Sequence, residues 1–297
     1  MKFGRTYIMT VQPNPVTNPG GKLLTIPFPI TMEFDVVRNT FASANTATFR
    51  IMNLGPDLRK QIFHDRYSTG VDQQQQILVQ AGYNSNVNTP LATIFSGDIL
   101  WAYSVRQKEN WITQIECFDG GVGMLNGQVQ QTIPAPYDVN FALQQLAKTL
   151  PGVATGTIAI PPSQNSRGIV LKGNSWDLFR KIAGTNEAFI DNGKVNCVAP
   201  DNYIIDPNGI PLISSDTGLL NTPRKLGALI EVDMVFEPRI VVNQLVQLES
   251  LEAYYNGQYI VKGIAHRGTI SGAVCGQAIT RVSLWAGIGA LTMAAAA

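Results

Sequence analysis

Glu33 and Asp35 stand two residues apart, so on a strand both carboxylates point to the same side. Two carboxylates flanking a cleft are what a glycosidase uses as acid and base. At alternate strand positions the same pair reads as a solvated face. Nucleophilic catalysis asks for a base beside the nucleophile, usually histidine. The chain has only His64 and His266, neither in a nucleophile motif, and no Gly-x-Ser-x-Gly elbow is present. Both are read as solvated or core-edge histidines. Asp201, Asn202, Asp206 and Asn208 form a polar loop like a loose cation site, but the bidentate Glu is missing, so an ordinary turn is expected. The glycine-rich run Asp119 to Gly127 follows a strand. It lacks both the Lys-Ser/Thr pair and the correctly placed third glycine of a phosphate cradle, and is expected to be a domain-exit turn. Trp101, Tyr103 and Trp111 could stack on a sugar, although cross-strand packing explains them as well. Cys117, Cys197 and Cys275 are odd in number and widely spaced, which fits neither a disulfide framework nor a zinc knuckle. No catalytic, cofactor or metal residue is assigned.

The elements around these residues set the fold class. The chain has 297 residues, 45% of them hydrophobic and only 14% charged, enough apolar content for a sizeable core. A net charge of +1 argues against a dedicated nucleic-acid binder. No signal peptide is visible between Met1 and Thr10, and no apolar run is long enough for a membrane helix. A reducing cytoplasm is the expected folding environment. The apolar end, Ala286 to Ala297, is expected to fray or to pack on a neighbour.

Period-two patterns predict strands around Phe49–Ile51, Ile77–Tyr83, Ile99–Val105 and Trp111–Cys117, with turn formers between them. A short helix is expected at Leu58 to His64. In the middle, Asp138 can cap a helix carrying Val139, Ala142, Leu143 and Leu146. Asn174 can cap a second that Gly184 ends. Asn192-Gly193 predicts a type I′ hairpin. Strand patterns return at Ile230–Met234, Val246–Leu248, Tyr259–Ile264 and Val282–Leu284. The fold class is therefore mainly β with an α+β insert: two related antiparallel β-barrel domains, 1–133 and 211–297, flanking a small α+β domain, 134–210. A faint internal repeat links the strand pair that starts at Phe95-Ser96-Gly97 to the pair that starts at Tyr259-Ile260-Val261.

Several stretches in this order carry a resemblance. They are Phe3-Gly4-Arg5-Thr6-Tyr7, the run Asn45-Thr46-Ala47-Thr48-Phe49-Arg50-Ile51-Met52-Asn53-Leu54-Gly55-Pro56, and Ile94-Phe95-Ser96-Gly97-Asp98-Ile99. Further on come Thr217 to Pro223, Glu237-Pro238-Arg239-Ile240, Asn256-Gly257-Gln258-Tyr259-Ile260-Val261 and His266-Arg267-Gly268. Together they resemble the baseplate hub proteins of tailed bacteriophages and related contractile injection systems. The resemblance implies a homotrimer with two related barrels per subunit. Its pseudo-sixfold ring would act as a symmetry adapter joining a hexameric tail tube to a trimeric central spike. It also implies a virion location in the tail baseplate after assembly in the host cytoplasm, and contacts with the tape measure protein and the baseplate wedge proteins. DNA would meet the chain only in transit through a channel during genome ejection. No enzyme activity, cofactor or membrane is implied. Asn53, Leu54, Gly55, Pro56, Glu237, Pro238, Arg239 and Ile240 are the candidate subunit or partner contacts; a tight turn within one subunit is the competing reading for both groups. Three other functions stay open: a distal tail or tube protein with one barrel per chain, a tail-tip peptidoglycan hydrolase using Glu33 or Asp35, and a carbohydrate-binding module using exposed tryptophans.

Overall fold

The computed structural model describes residues 4–13, 20–41, 44–65, 75–84, 90–204, 209–273, 276–287 and 292–293. Cys275, Asp206, Asn208 and most of the alanine-rich end lie outside them. The first part comprises β1 (Arg5–Val11), β2 (Leu24–Pro27), β3 (Met32–Asn39), β4 (Thr46–Met52), α1 (Pro56–Ile62), β5 (His64–Asp65), β6 (Gln76–Tyr83), β7 (Ala92–Gln107) and β8 (Asn110–Phe118). The middle follows with α2 (Gly121–Asn126), β9 (Gln128–Ile133), β10 (Tyr137–Asp138), α3 (Val139–Ala147), β11 (Ala154–Ala159), β12 (Gln164–Asn165), β13 (Ile169–Asn174), α4 (Ser175–Ala183), β14 (Glu187–Asp191) and β15 (Lys194–Val198). The last part adds β16 (Asn202–Tyr203), β17 (Leu212–Ile213), β18 (Arg224–Leu226), β19 (Leu229–Val235), β20 (Leu245–Leu248), β21 (Gly257–Ile270), β22 (Ala278–Trp285) and β23 (Thr292–Met293).

The strand signals fall where their alternation places them. In β3, Met32, Phe34 and Val36 point inward while Glu33 and Asp35 point out. Both helix caps form as the sequence suggests. Asp138 accepts from the Asn140 amide at 2.7 Å, and Asn174 accepts from the Asp177 amide at 3.0 Å. Asn192 and Gly193 take φ of 50° and 72°, the positive values a type I′ turn requires.

The glycine-rich run departs from expectation. After a turn at Gly120 it coils into α2 instead of remaining a plain exit turn. Asp98 accepts from the Val122 amide at 3.1 Å, and a side chain on Gly123 would strike Val153 and the Pro151 carbonyl. Tertiary packing here overrides the poor helix propensity of glycine.

One sheet runs through both outer parts in the order β18-β19-β22-β21-β3-β4-β8-β7-β6-β1-β2. Three apolar cores sit beneath it and within the middle part. The first gathers Tyr7, Phe34, Phe49 and Phe95, and also takes Phe236, Ile270 and Ala278 from the last part. The second gathers Leu143, Leu146, Trp176 and Phe179. The third gathers Val232, Met234, Val261 and Leu284, and also takes Phe189 and Val198 from the hairpin β14–β15. Strand β9 pairs with β13 and gives Val129 and Ile133 to the second core.

The internal repeat is visible in the pairing map. Strands β3-β4-β8-β7-β6 and β18-β19-β22-β21-β20 are linked in the same order, antiparallel at every step. In β7–β8, Asp98 and Ile99 pair with Phe118 and Cys117. Leu100 is then skipped, and pairing resumes at Trp101↔Glu116. In β21–β22, Ile260 and Val261 pair with Trp285 and Leu284; Lys262 is skipped and pairing resumes at Gly263↔Ser283. A bulge at the same place in both hairpins puts Phe118 and Trp285 in corresponding positions. Thr46 and Leu229, which pair with these two residues, correspond in turn.

Candidate functional site

The residues that could do chemistry are not assembled for it. Asp35 accepts from Arg267 Nε at 2.9 Å, and Glu33 lies opposite Arg50 in the β3–β4 register. The carboxylates do share one outward face, but it is an ion-paired one. It continues across the sheet: Arg281 Nε donates to Asp233 at 2.7 Å, and Arg224 lies 3.4 Å from Glu231. The aromatic trio is split. Trp101 and Tyr103 lie on this outward face, whereas Trp111 pairs with Arg106 on the opposite face, under the Arg59 guanidinium at 3.7 Å. A single sugar platform does not form.

Both histidines are in the core and neither is solvated. His64 is buried on β5, and that burial lowers its pKa. His266 is fully buried, bonded through Nδ1 to Thr280 Oγ1 at 2.9 Å, with the Phe236 ring edge-on. Burial, helped by Arg38, pushes its pKa down to about 3. Among the described residues, no group of three or more His, Cys, Asp or Glu could hold a metal.

The two candidate contact segments occupy corresponding places in the repeat, directly after β4 and after β19. Asn53 is at φ 54° and accepts from the Trp111 amide at 2.9 Å. Leu54 is in the first core, and Gly55 and Pro56 are exposed at the start of α1. In the second segment the Glu237 carboxylate, itself buried, takes both Nε and a terminal nitrogen of the exposed Arg239, at 2.8 and 2.9 Å. Pro238 and Ile240 are buried. A groove of about 580 Å³ runs beside this segment, lined by Leu212, Met234, Arg239, Ile240 and Gln244. Each segment is thus a turn held within the chain that leaves part of its surface open.

A second set of residues escaped the sequence reading: the joint that clamps the middle part to the sheet. Arg38, only 1% exposed, donates to both Asp191 oxygens at 2.8 and 2.6 Å. Asn45 Nδ2 donates to the Ile190 carbonyl at 2.8 Å. The Ser96 amide donates to Asn192 Oδ1 at 3.0 Å, and the Gly193 amide to Asp119 Oδ1 at 2.8 Å. Burial first, and then the neighbouring Asp191, pushes the Asp119 pKa up to about 7. On the other side, Lys262 Nζ donates to Glu187 at 2.7 Å and to the Pro200 carbonyl at 2.8 Å. Burial lowers the lysine pKa and raises the glutamate's, each against the pull of its partner. One signal was available: parity along β3 makes Arg38 an inward residue on a strand that is otherwise apolar inside.

This is a scaffold of fused sheets and buried polar joints, with outward faces neutralised by their own ion pairs. A family model described as "Baseplate hub gp41" matches residues 16–267. The chain belongs to the baseplate hub gp41 family. It is a bacteriophage tail protein with a structural role in the baseplate hub. Solved structures show the same fold. A tail protein from Neisseria meningitidis aligns with TM-score 0.59 and 12% identity over 95% of this chain and 97% of that one. The 43 kDa tail protein of prophage MuSo2 from Shewanella oneidensis gives 0.56 and 8%, over 93% and 97%. A chain of the Francisella PdpA–VgrG complex gives 0.55 and 10%, over 96% of this chain and 53% of that one. No curated protein matches the hub chain in sequence.

Proposed function

We propose that this hub protein is a homotrimer whose three copies present six similar β units in a ring, adapting the sixfold tail tube to a threefold central spike. The repeated five-strand connectivity carries this reading, because a chain with two equivalent units can offer six similar surfaces from three copies. The outer units are read as the divisions 1–133 and 211–297 with 134–210 as the α+β insert, except that β9, at the end of the first division, pairs and packs with the insert. The segments Asn53–Pro56 and Glu237–Ile240, equivalent in the repeat, then face the tube or the spike in alternation around the ring. The likeness to a chain of the PdpA–VgrG complex favours a spike-type partner. The ring surrounds a channel for DNA and the tape measure protein, its outer side meets wedge proteins, and no bond-making step belongs to the chain.

Absolute mass by light scattering over a range of concentrations tests this. A mass of three chains is expected. A hexamer would instead assign the chain to the tube or distal tail, and a chain monomeric throughout would overturn self-assembly into a hub.

A further inference from the structure

Lys262 is skipped in the pairing of β21 with β22, and its side chain is only 3% exposed. A lysine is rarely buried unless its amine is engaged. Here Nζ donates to Glu187 Oε2 at 2.7 Å and to the Pro200 carbonyl at 2.8 Å, and it lies 3.4 Å from Asn243 Oδ1. Asn243 is itself fully buried. Its Nδ2 donates to the Asn202 carbonyl at 3.1 Å, which turns Oδ1 toward the lysine. The backbone fixes this meeting. The Asn243 amide donates to the Val261 carbonyl at 2.7 Å, and the Val261 amide donates to the Gln244 carbonyl at 2.9 Å. Asn243 is at φ 63°, and among the described non-glycine residues with positive φ it alone is buried. Backbone held in such a region gathers at sites that do something with it. An amine, a carboxamide and a carboxyl group thus share one dry site. An ion pair accounts for the amine and the carboxyl; the carboxamide adds an electrophile.

We propose that Lys262 and Asn243 join in an intramolecular isopeptide bond, with Glu187 as its acid–base group. Nζ passes a proton to Glu187, and the freed lone pair forms a bond to Asn243 Cγ. The oxyanion at Oδ1 then collapses and the Cγ–Nδ2 bond breaks. Glu187 hands the departing nitrogen the proton it took, so ammonia leaves. A second proton passes from the former amine to Glu187, and one hydrogen stays on the new amide nitrogen. No oxidant or further reactant takes part.

The site meets the demands of that step. In water an amine does not displace an amide nitrogen, because the amine is protonated and the encounter is bimolecular. Packing removes the second obstacle by holding the groups together. Burial acts on the first: it lowers the pKa of Lys262, against the pull of Glu187 and Asp201, and raises that of Glu187, so proton transfer between them costs less than in water. The product leaves Glu187 as the neutral acid that burial favours. Glu187 also lines an open pocket of about 470 Å³ with Thr40, Arg180 and Asn186, an exit for ammonia. The first unit is the internal comparison, since its bulge residue is Leu100 and no amine stands at that place. The bond ties the residues ahead of β20 to β21, the strand that joins the two units. It forms within one chain, whatever the number of copies that assemble.

Intact-mass spectrometry of the folded full-length protein tests this, before and after prolonged warming below its unfolding midpoint. The expected mass is that of the sequence less one ammonia, and digestion is expected to give a branched peptide joining Lys262 to Asn243. Glu187→Gln keeps the shape of the side chain and is expected to join on the order of a hundredfold more slowly, with the far-UV circular dichroism unchanged. Lys262→Met is expected to keep its full sequence mass. A folded parent at full sequence mass throughout would overturn the bond and leave a buried ion pair. A deficit of one ammonia that persists in Lys262→Met would also overturn it, because the ammonia then comes from elsewhere, such as an imide at one of the Asn-Gly pairs. Joining at the parental rate in Glu187→Gln would overturn the acid–base role of Glu187.

Discussion

The two β units share a connectivity but solve the same slot differently. In the first, Ser104 and Thr113 share a hydrogen bond at 2.9 Å across β7–β8, on a half-open ribbon. In the second, the corresponding pair is His266 and Thr280, also at 2.9 Å, sealed by β3 and Phe236. The bulge residue follows the same divide: Leu100 in the first unit, and in the second Lys262, which reaches out to Glu187 of the middle part. Both units hold the middle part through buried polar groups, the first through Arg38, Asn45 and Asp119 and the second through Lys262, but only in the second is this slot covered by a neighbouring strand. The two units thus keep one connectivity and differ in how the same ribbon is covered.

The largest break in that comparison is expected at the joint itself. Arg38→Met keeps the bulk of the side chain but leaves the mostly buried Asp191 beside Asp119 without its cation. Removing one partner of a buried pair costs about 3–5 kcal/mol. A shift of the urea midpoint of that size is expected; a change below about 1 kcal/mol would mean that the joint is not what holds the middle part. Next is Lys262→Leu, which copies Leu100 into the second unit. It strands the Glu187 carboxylate and the Pro200 carbonyl, and about 2–3 kcal/mol of destabilisation is expected. Adding Glu187→Gln is expected to recover part of the loss, which a purely steric role for Lys262 would not allow.

Proton linkage sharpens the same contrast. His266 falls from its ordinary 6.5 to about 3 in the folded chain. Between those values the unfolded chain holds the extra proton, so this residue makes stability rise with pH and fall on acidification. Asp119 rises from its ordinary 3.8 to about 7. Over that window the folded chain holds the extra proton, so this residue makes stability fall as pH rises. The two slopes oppose each other between about pH 4 and 6.5, and each amounts to at most about 1.4 kcal/mol per pH unit. In Asp119→Asn the histidine slope is expected to stand alone, with stability falling below pH 6.5. In His266→Ser, which copies Ser104, the opposite slope is expected whatever the overall loss of stability. Denaturation midpoints from pH 4 to 7 read both, and slopes identical to the parent would refute the pairing.

What the sequence shows and hides follows from range. The capping residues Asp138 and Asn174 and the Asn192-Gly193 turn act within a few residues, so their types announce them. Strand positions follow from alternation over six or eight residues. The joint depends on partners far apart in the chain, such as Arg38 with Asp191 and Lys262 with Glu187, and no local pattern pairs them. The pairing of β3 with β21 was hidden for the same reason. His64 was misplaced because it reads as the end of a short helix, whereas the helix stops at Ile62 and β5 packs the histidine against β7. The bulges at Leu100 and Lys262 break a period-two reading, yet only the pairing map shows that they match.

The smallest expected effect lies on the outward face. Arg267→Val copies Val105 into the second unit and removes the ion pair with Asp35. Both side chains of that pair are about half exposed, so water solvates each nearly as well alone as paired. A change within about 0.5 kcal/mol is expected in the denaturation midpoint. A loss above about 1.5 kcal/mol would show the outward ladder to be a working part of the sheet, on a level with the buried joint. It would also change how the open edge is read. If outward pairs stiffen β21, the β7 ribbon, which carries Val105 where β21 carries Arg267, is the softer of the two. If they do not, both ribbons are held by backbone pairing and inward packing alone, and what separates them is whether the edge is covered.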